Sequence, residues 1–119
     1  MDFERSTMDP VLDVRGALAR LDGDDDLLVD LLRFFLEDST RLQEQLAAAV
    51  SAGDAQEARV TAHAIKGLVA GCGGVRAAEA AKRVEHGGQA GDLAGLPALV
   101  EALAAELDAV RGEARGYLG

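Results

Sequence analysis

A chain of 119 residues fits one domain with one core and leaves little room for a second. Twelve Lys and Arg stand against 21 Asp and Glu, a net charge of -9, so no basic stripe is left for a nucleic acid. Aromatics make up 3% of a composition that is 49% apolar and rich in alanine, which favours helices with Leu, Val and Ala cores over sheets. Cys72 is the only cysteine, which excludes an internal disulfide and argues against a thiolate metal cluster. The start, Met1-Asp2-Phe3-Glu4-Arg5, lacks the basic and apolar parts of a secretory signal, and no apolar run approaches the ~20 residues of a membrane span. The expectation is a cytoplasmic protein with no membrane and no nucleic-acid partner.

Residues 1–10 read as a flexible start and 11–119 as one folded domain. A short helix is expected from Val11 to Leu21, followed by a turn and N-cap within Asp22-Gly23-Asp24-Asp25-Asp26. In the long helix that follows, Leu28, Leu32, Phe35, Leu42, Leu46 and Ala49 recur at helical steps and form one apolar stripe. Asp30, Arg33, Glu37, Arg41 and Glu44 make the wet face opposite. Gly53 ends this helix, and Asp54 with Glu57 resembles a capping box for the next, which runs to about Cys72. Gly73-Gly74 breaks it. A fourth helix is expected from Val75 to about His86, with Gly87-Gly88 as its stop. The last begins near Leu96, tolerates Pro97 in its first turn, and carries Val100, Leu103, Leu107 and Val110 on the face of Leu96. Helices joined this closely pack against antiparallel neighbours, so the fold class is all-α: an antiparallel up-down four-helix bundle with a short extra N-terminal helix.

The chemistry concentrates in the third helix. At ~100° per residue, Ala58, Thr61, Ile65, Leu68, Val69 and Cys72 cluster on the core side. His63 points the opposite way, flanked by Arg59, Lys66, Gly67 and Ala70. An isolated histidine is ordinarily a satisfied core group or an incidental surface residue, but here the core alternative fails on geometry. The neighbours are also chosen. Gly67 costs about 1 kcal/mol relative to alanine in a helix interior, and its missing side chain opens the approach to the imidazole. Lys66 puts a cation where phosphoryl oxygens would need one. Neutral imidazole has a lone pair that can attack phosphorus, so nucleophile, cation and open approach share one patch.

On these residues the chain resembles the histidine-containing phosphotransfer (HPt) domains. Their pattern is an exposed His, Lys at the third position after it, Gly at the fourth, Gly at the tenth and an acid or amide at the twenty-second. Here these are His63, Lys66, Gly67, Gly73 and Glu85. The likeness covers about Val11 to Leu118, and departs where Leu68 and Val69 replace the small residue usual after the Lys-Gly pair. The resemblance implies a four-helix bundle with His63 as phosphoacceptor, Lys66 stabilising phosphoryl charge, and Glu85 hydrogen-bonding the inner imidazole nitrogen. It implies a carrier in a multistep two-component phosphorelay rather than an enzyme. Its partners would be response-regulator receiver domains or a hybrid sensor kinase, with Arg59, Gly67 and Ala70 on the docking face. It implies no cofactor of its own, the Mg²⁺ belonging to the receiver, and a monomer.

Two other readings compete. In the dimerisation and phosphoacceptor region of a sensor kinase an acid follows the His and a Pro comes soon after, whereas Ala64 follows here and no Pro occurs before Pro97. A bundle that only binds proteins would be expected to have lost His63. A calcium loop at Asp22, Asp24 and Asp26 fails because Leu27 stands where Gly is needed and Arg33 where Glu is needed. A metal site from His63, His86 and Cys72 lacks any paired ligand spacing. His86 and Cys72 read as structural.

Overall fold

Three aspartates decide where helices begin. The carboxylates of Asp13, Asp24 and Asp54 accept hydrogen bonds from the backbone N–H groups of Gly16, Leu27 and Glu57, each at 3.0 Å. Each satisfies a donor that the first turn would otherwise leave unpaired, a contribution of about 1 kcal/mol. The computed structural model describes residues 9–119, which form five α-helices and no strand. They are α1 (Val14–Arg20), α2 (Asp25–Ser51), α3 (Ala55–Gly71), α4 (Val75–Gln89) and α5 (Leu96–Leu118). The loose start read from residues 1–10 lies, for residues 1–8, outside the described residues.

The last four helices pack in a ring, each against its sequence neighbours, with α5 returning to α2 and α1 laid against α2. Short turns make the consecutive helices antiparallel. The core is the α2 stripe facing Ile65 and Val69 of α3, Ala77, Ala81 and Val84 of α4, and Leu96, Leu103, Leu107 and Val110 of α5. Ser39 interrupts the α2 stripe as a buried hydroxyl. At the α5–α2 seam the buried Arg111 donates from Nη1 to Gln43 Oε1 at 3.2 Å. Among the described residues no helix is long and apolar enough to cross a membrane.

Several expectations need correction. The first helix starts at Val14, not Val11, because Asp13 caps it and sends its own N–H to the Gly73 carbonyl at 2.8 Å. The capping box at Asp54 is one-sided: Glu57 accepts from the Thr61 hydroxyl at 3.3 Å, while the Asp54 N–H donates to Ala49 O at 2.9 Å. On α3 the core side is rotated towards α4, so Ala62 is fully buried while Leu68 is only half-buried.

The largest correction concerns Gly87-Gly88, which does not stop α4; the helix runs through both to Gln89. A Cβ on Gly88 would lie 2.8 Å from Ala55 O and 2.9 Å from Arg59 N, so this glycine lets α4 approach the α3 backbone. Gly73 also serves the fold. Its φ is +94°, and a Cβ there would meet Asp13 O at 2.7 Å, so it both turns the chain and admits the segment before α1.

Candidate functional site

α3 turns one row of residues outward. The His63 side chain is 67% exposed, while Ala62 and Ile65 beside it are buried, which fixes the direction of the imidazole. α4 runs alongside at the close approach that Gly88 permits and brings Glu85 to the site. Glu85 Oε2 stands 2.7 Å from His63 Nδ1, and Glu85 Oε1 accepts from Lys66 Nζ at 2.6 Å. One carboxylate thus holds both the histidine and the lysine.

This arrangement fixes a tautomer. The Lys66 ammonium, and then His63, hold the Glu85 carboxyl below its usual value, so it is ionised at neutral pH and acts only as an acceptor. Nδ1 must then carry the proton, which leaves the Nε2 lone pair free at the outer edge of the ring. A neutral imidazole held in this way presents an unprotonated outer nitrogen without the help of a separate base.

The two sides of His63 differ. Towards α2 lies an open groove of about 520 Å³ that includes Leu31, Phe34, Leu42, Ala64, Gly67 and Leu68. Phe34 is 56% exposed, a large apolar surface left uncovered in the groove that His63 also lines. A Cβ on Gly67 or on Gly71 would meet nothing within 4 Å, so this wall of the groove is flat. The ion pair between Arg41 and Asp38, at 2.8 Å, lies along the same groove. Towards α4 the edge is polar, with Lys66 and Glu85.

The residues singled out from sequence fall into two groups. His63, Lys66 and Glu85 form one hydrogen-bonded cluster. Gly67 lines the groove, Arg59 is half-buried with its Nε 3.4 Å from Gln56 Oε1, and Ala70 is exposed with its carbonyl 3.4 Å from an Arg20 guanidinium nitrogen. Sequence reasoning missed the groove residues Leu31, Phe34 and Leu42. The available signal was the Phe34-Phe35 doublet: Phe35 continues the stripe of Leu28, Leu32 and Leu42, and its neighbour, about 100° further round the helix, is turned off that stripe. Cys72 is fully buried, and burial pushes its thiol up to about 11, which makes it unreactive. No group of three metal-ligating side chains occurs among the described residues.

The sequence model of the Hpt domain family matches residues 30–113. The crystal structure of histidine-containing phosphotransfer protein B (HptB) from Pseudomonas aeruginosa PAO1 is similar, with a TM-score of 0.83 and 35% sequence identity, covering 92% of this chain and 95% of that one. Among curated proteins none matches the chain significantly.

Proposed function

The chain belongs to the Hpt domain family, and from that premise we propose that His63 accepts a phosphoryl group from the aspartate of one receiver domain and passes it to another. The observation that carries this reading is the exposed Nε2 of an imidazole whose Nδ1 is tied to an ionised Glu85. Nε2 attacks phosphorus in line, the N–P bond forms, the acyl phosphate P–O bond breaks, and the receiver carboxylate leaves with the electron pair. No proton has to move. The ring becomes cationic while Nδ1 keeps its hydrogen, and the hydrogen bond to Glu85 strengthens as that charge develops.

Lys66 faces a choice between Glu85 and the incoming phosphoryl oxygens. It is held one helical turn from the nucleophile, so a small rotation of its side chain brings the ammonium to the phosphoryl group, where charge neutralisation lowers the barrier. In-line geometry also requires the partner to come close. The flat wall at Gly67 and Gly71 and the apolar surface of Leu31 and Phe34 offer a docking surface for the receiver. The receiver supplies the aspartate and the Mg²⁺, and the return transfer uses the same face, so the protein acts as a carrier rather than an enzyme with a substrate of its own.

The test is labelling by a phosphorylated receiver domain and by phosphoramidate, a small donor that needs no docking. Wild-type protein should take up one acid-labile phosphate, and His63→Gln should take up none while keeping its helix content. Label persisting on His86 in His63→Gln would overturn the assignment.

A further inference from the structure

The edge of α3 that faces α4 is cationic on an otherwise acidic molecule. The α3–α4 hairpin carries five Lys and Arg against three Glu, whereas the whole chain carries 12 against 21 acidic residues; of the five, Arg76 is paired with Glu106 of α5 and Arg83 shares a recess with that pair, which leaves Arg59, Lys66 and Lys82. The three carboxylates leave this edge underneutralised. Glu85 is shared between Lys66 and His63, and Glu57 is turned to Thr61 on another side of α3. Glu79, one turn before Lys82 on α4, shares a recess with Arg20, Ala70 and Val75 and makes no ion pair with Lys82. Arg59 hydrogen-bonds only the neutral Gln56 among the described residues. Lys82 is exposed on α4, one turn before Glu85, and pairs with no described carboxylate. Across His63, the α2 bank is apolar, and its one cation, Arg41, is already closed onto Asp38.

We propose that this edge, Arg59, Lys66 and Lys82, is an electrostatic docking rail that receives the acidic rim around a receiver's phosphorylated aspartate, with Lys82 as its outermost member. The occupant follows from chemistry. A receiver that forms an acyl phosphate with Mg²⁺ must hold that ion with oxygen ligands, chiefly carboxylates, so its pocket is rimmed with negative charge. At a net charge of -9 this chain repels such a partner as a whole. At physiological salt, however, charges beyond about 8 Å are screened and the local cations decide the encounter. The apolar groove would then provide the area and the rail the orientation, so that the acidic pocket lands over Nε2 and not along α2. The proposal rests on the reading of His63 as acceptor.

The experiment is the second-order rate of phosphoryl transfer, kcat/KM, from a phosphorylated receiver domain that donates to this protein, at fixed magnesium and from about 0.05 to about 0.5 M KCl. The two effects have opposite signs. If the rail governs association, the wild-type rate falls about threefold or more with salt; if whole-molecule repulsion governs it, the rate rises. Lys82→Glu should lower kcat/KM about fivefold at low salt and flatten the salt dependence, with the loss in kcat/KM rather than in the rate at saturation. Lys82→Gln should give a smaller loss in the same direction, and serves if the reversal disturbs folding. Arg33→Glu makes the same charge change on the solvent face of α2 and should keep the wild-type salt slope. A wild-type rate that rises with salt, or an Arg33→Glu effect equal to that of Lys82→Glu, would overturn the rail. Phosphoramidate separates the two proposals: wild type that takes no label on His63 removes the acceptor reading, whereas normal labelling with salt-indifferent transfer removes only the rail.

Discussion

Gly67 and Gly88 belong to the same hairpin, both sit inside helices, and they do opposite work. A side chain at Gly88 would run into the backbone of α3, with Ala55 O at 2.8 Å and Arg59 N at 2.9 Å. A side chain at Gly67 would meet nothing within 4 Å. The first glycine is required by a neighbour within the fold. The second costs the helix about 1 kcal/mol and gains nothing from packing within the folded chain, which is the cost expected if, as proposed, a receiver closes on this face. A helix-weakening residue therefore reveals its role by what its absent Cβ would touch.

The contrast can be broken at either end. The largest expected effect is that of Gly67→Leu on transfer. The new side chain projects beside His63 into the space the receiver needs, and a displacement of about 1 Å from in-line geometry can cost about a hundredfold in rate. Stability should hold or rise by up to about 1 kcal/mol. A clear drop in melting temperature would mean that Gly67 serves the core, and the docking face would lose a main support. Gly88→Ala should do the reverse, destabilising by about 1–3 kcal/mol through overpacking against backbone that cannot swing aside. Labelling by phosphoramidate should survive at temperatures where the protein remains folded. Chemical denaturation that leaves the midpoint of Gly88→Ala unchanged would show that the two helices can separate without cost.

Glu85 sharpens the comparison, because it is carried by the packed helix yet serves the open face. Its carboxyl is held below the ordinary 4.5 by Lys66 and then by His63. A depressed folded value means that the ionised form stabilises the fold above the unfolded value, and that this stability is lost as pH falls through the folded one. Melting temperatures of wild type and Glu85→Gln should therefore differ most near neutral pH and converge as the pH drops below about 4.5. This is the smallest of the expected effects. Curves that stay parallel down to pH 3 would remove the coupling between Glu85 and its two partners.

The legible part of the molecule was the part governed by local periodicity. The stripe from Leu28 to Ala49 and the α5 positions Leu103, Leu107 and Val110 are buried where the spacing put them, because a 3.6-residue period needs no knowledge of the partner helix. The outward direction of His63 followed from the same wheel. The start of α1 did not, since Asp13 is fixed by the Gly73 carbonyl, sixty residues away in the chain. Nor did the course of α4 through Gly87-Gly88, because a glycine at a helix crossing and a glycine at a helix stop look alike until the neighbour is known. The meeting of Glu85 with His63 came from a family resemblance and not from spacing, and the bond from Lys66 to the same carboxylate was not foreseen, since side chains on two helices have no shared period. The groove at Phe34 was invisible for a simpler reason: exposure of a large apolar residue is a property of the surface that remains after packing.

The joint between Asp13 and Gly73 bears on how this family's sequences should be compared. Position 73 is confined twice over, by a left-handed backbone and by a carbonyl 2.7 Å from where a Cβ would stand. Relatives that keep this joint have no alternative to glycine there, whatever partner they serve. Position 67 carries no such internal constraint, and in a lineage that abandoned phosphoryl transfer it is free to drift towards alanine or leucine. A glycine at position 73 thus reports on descent of the fold, whereas on the proposed reading one at position 67 reports on continued use of the histidine.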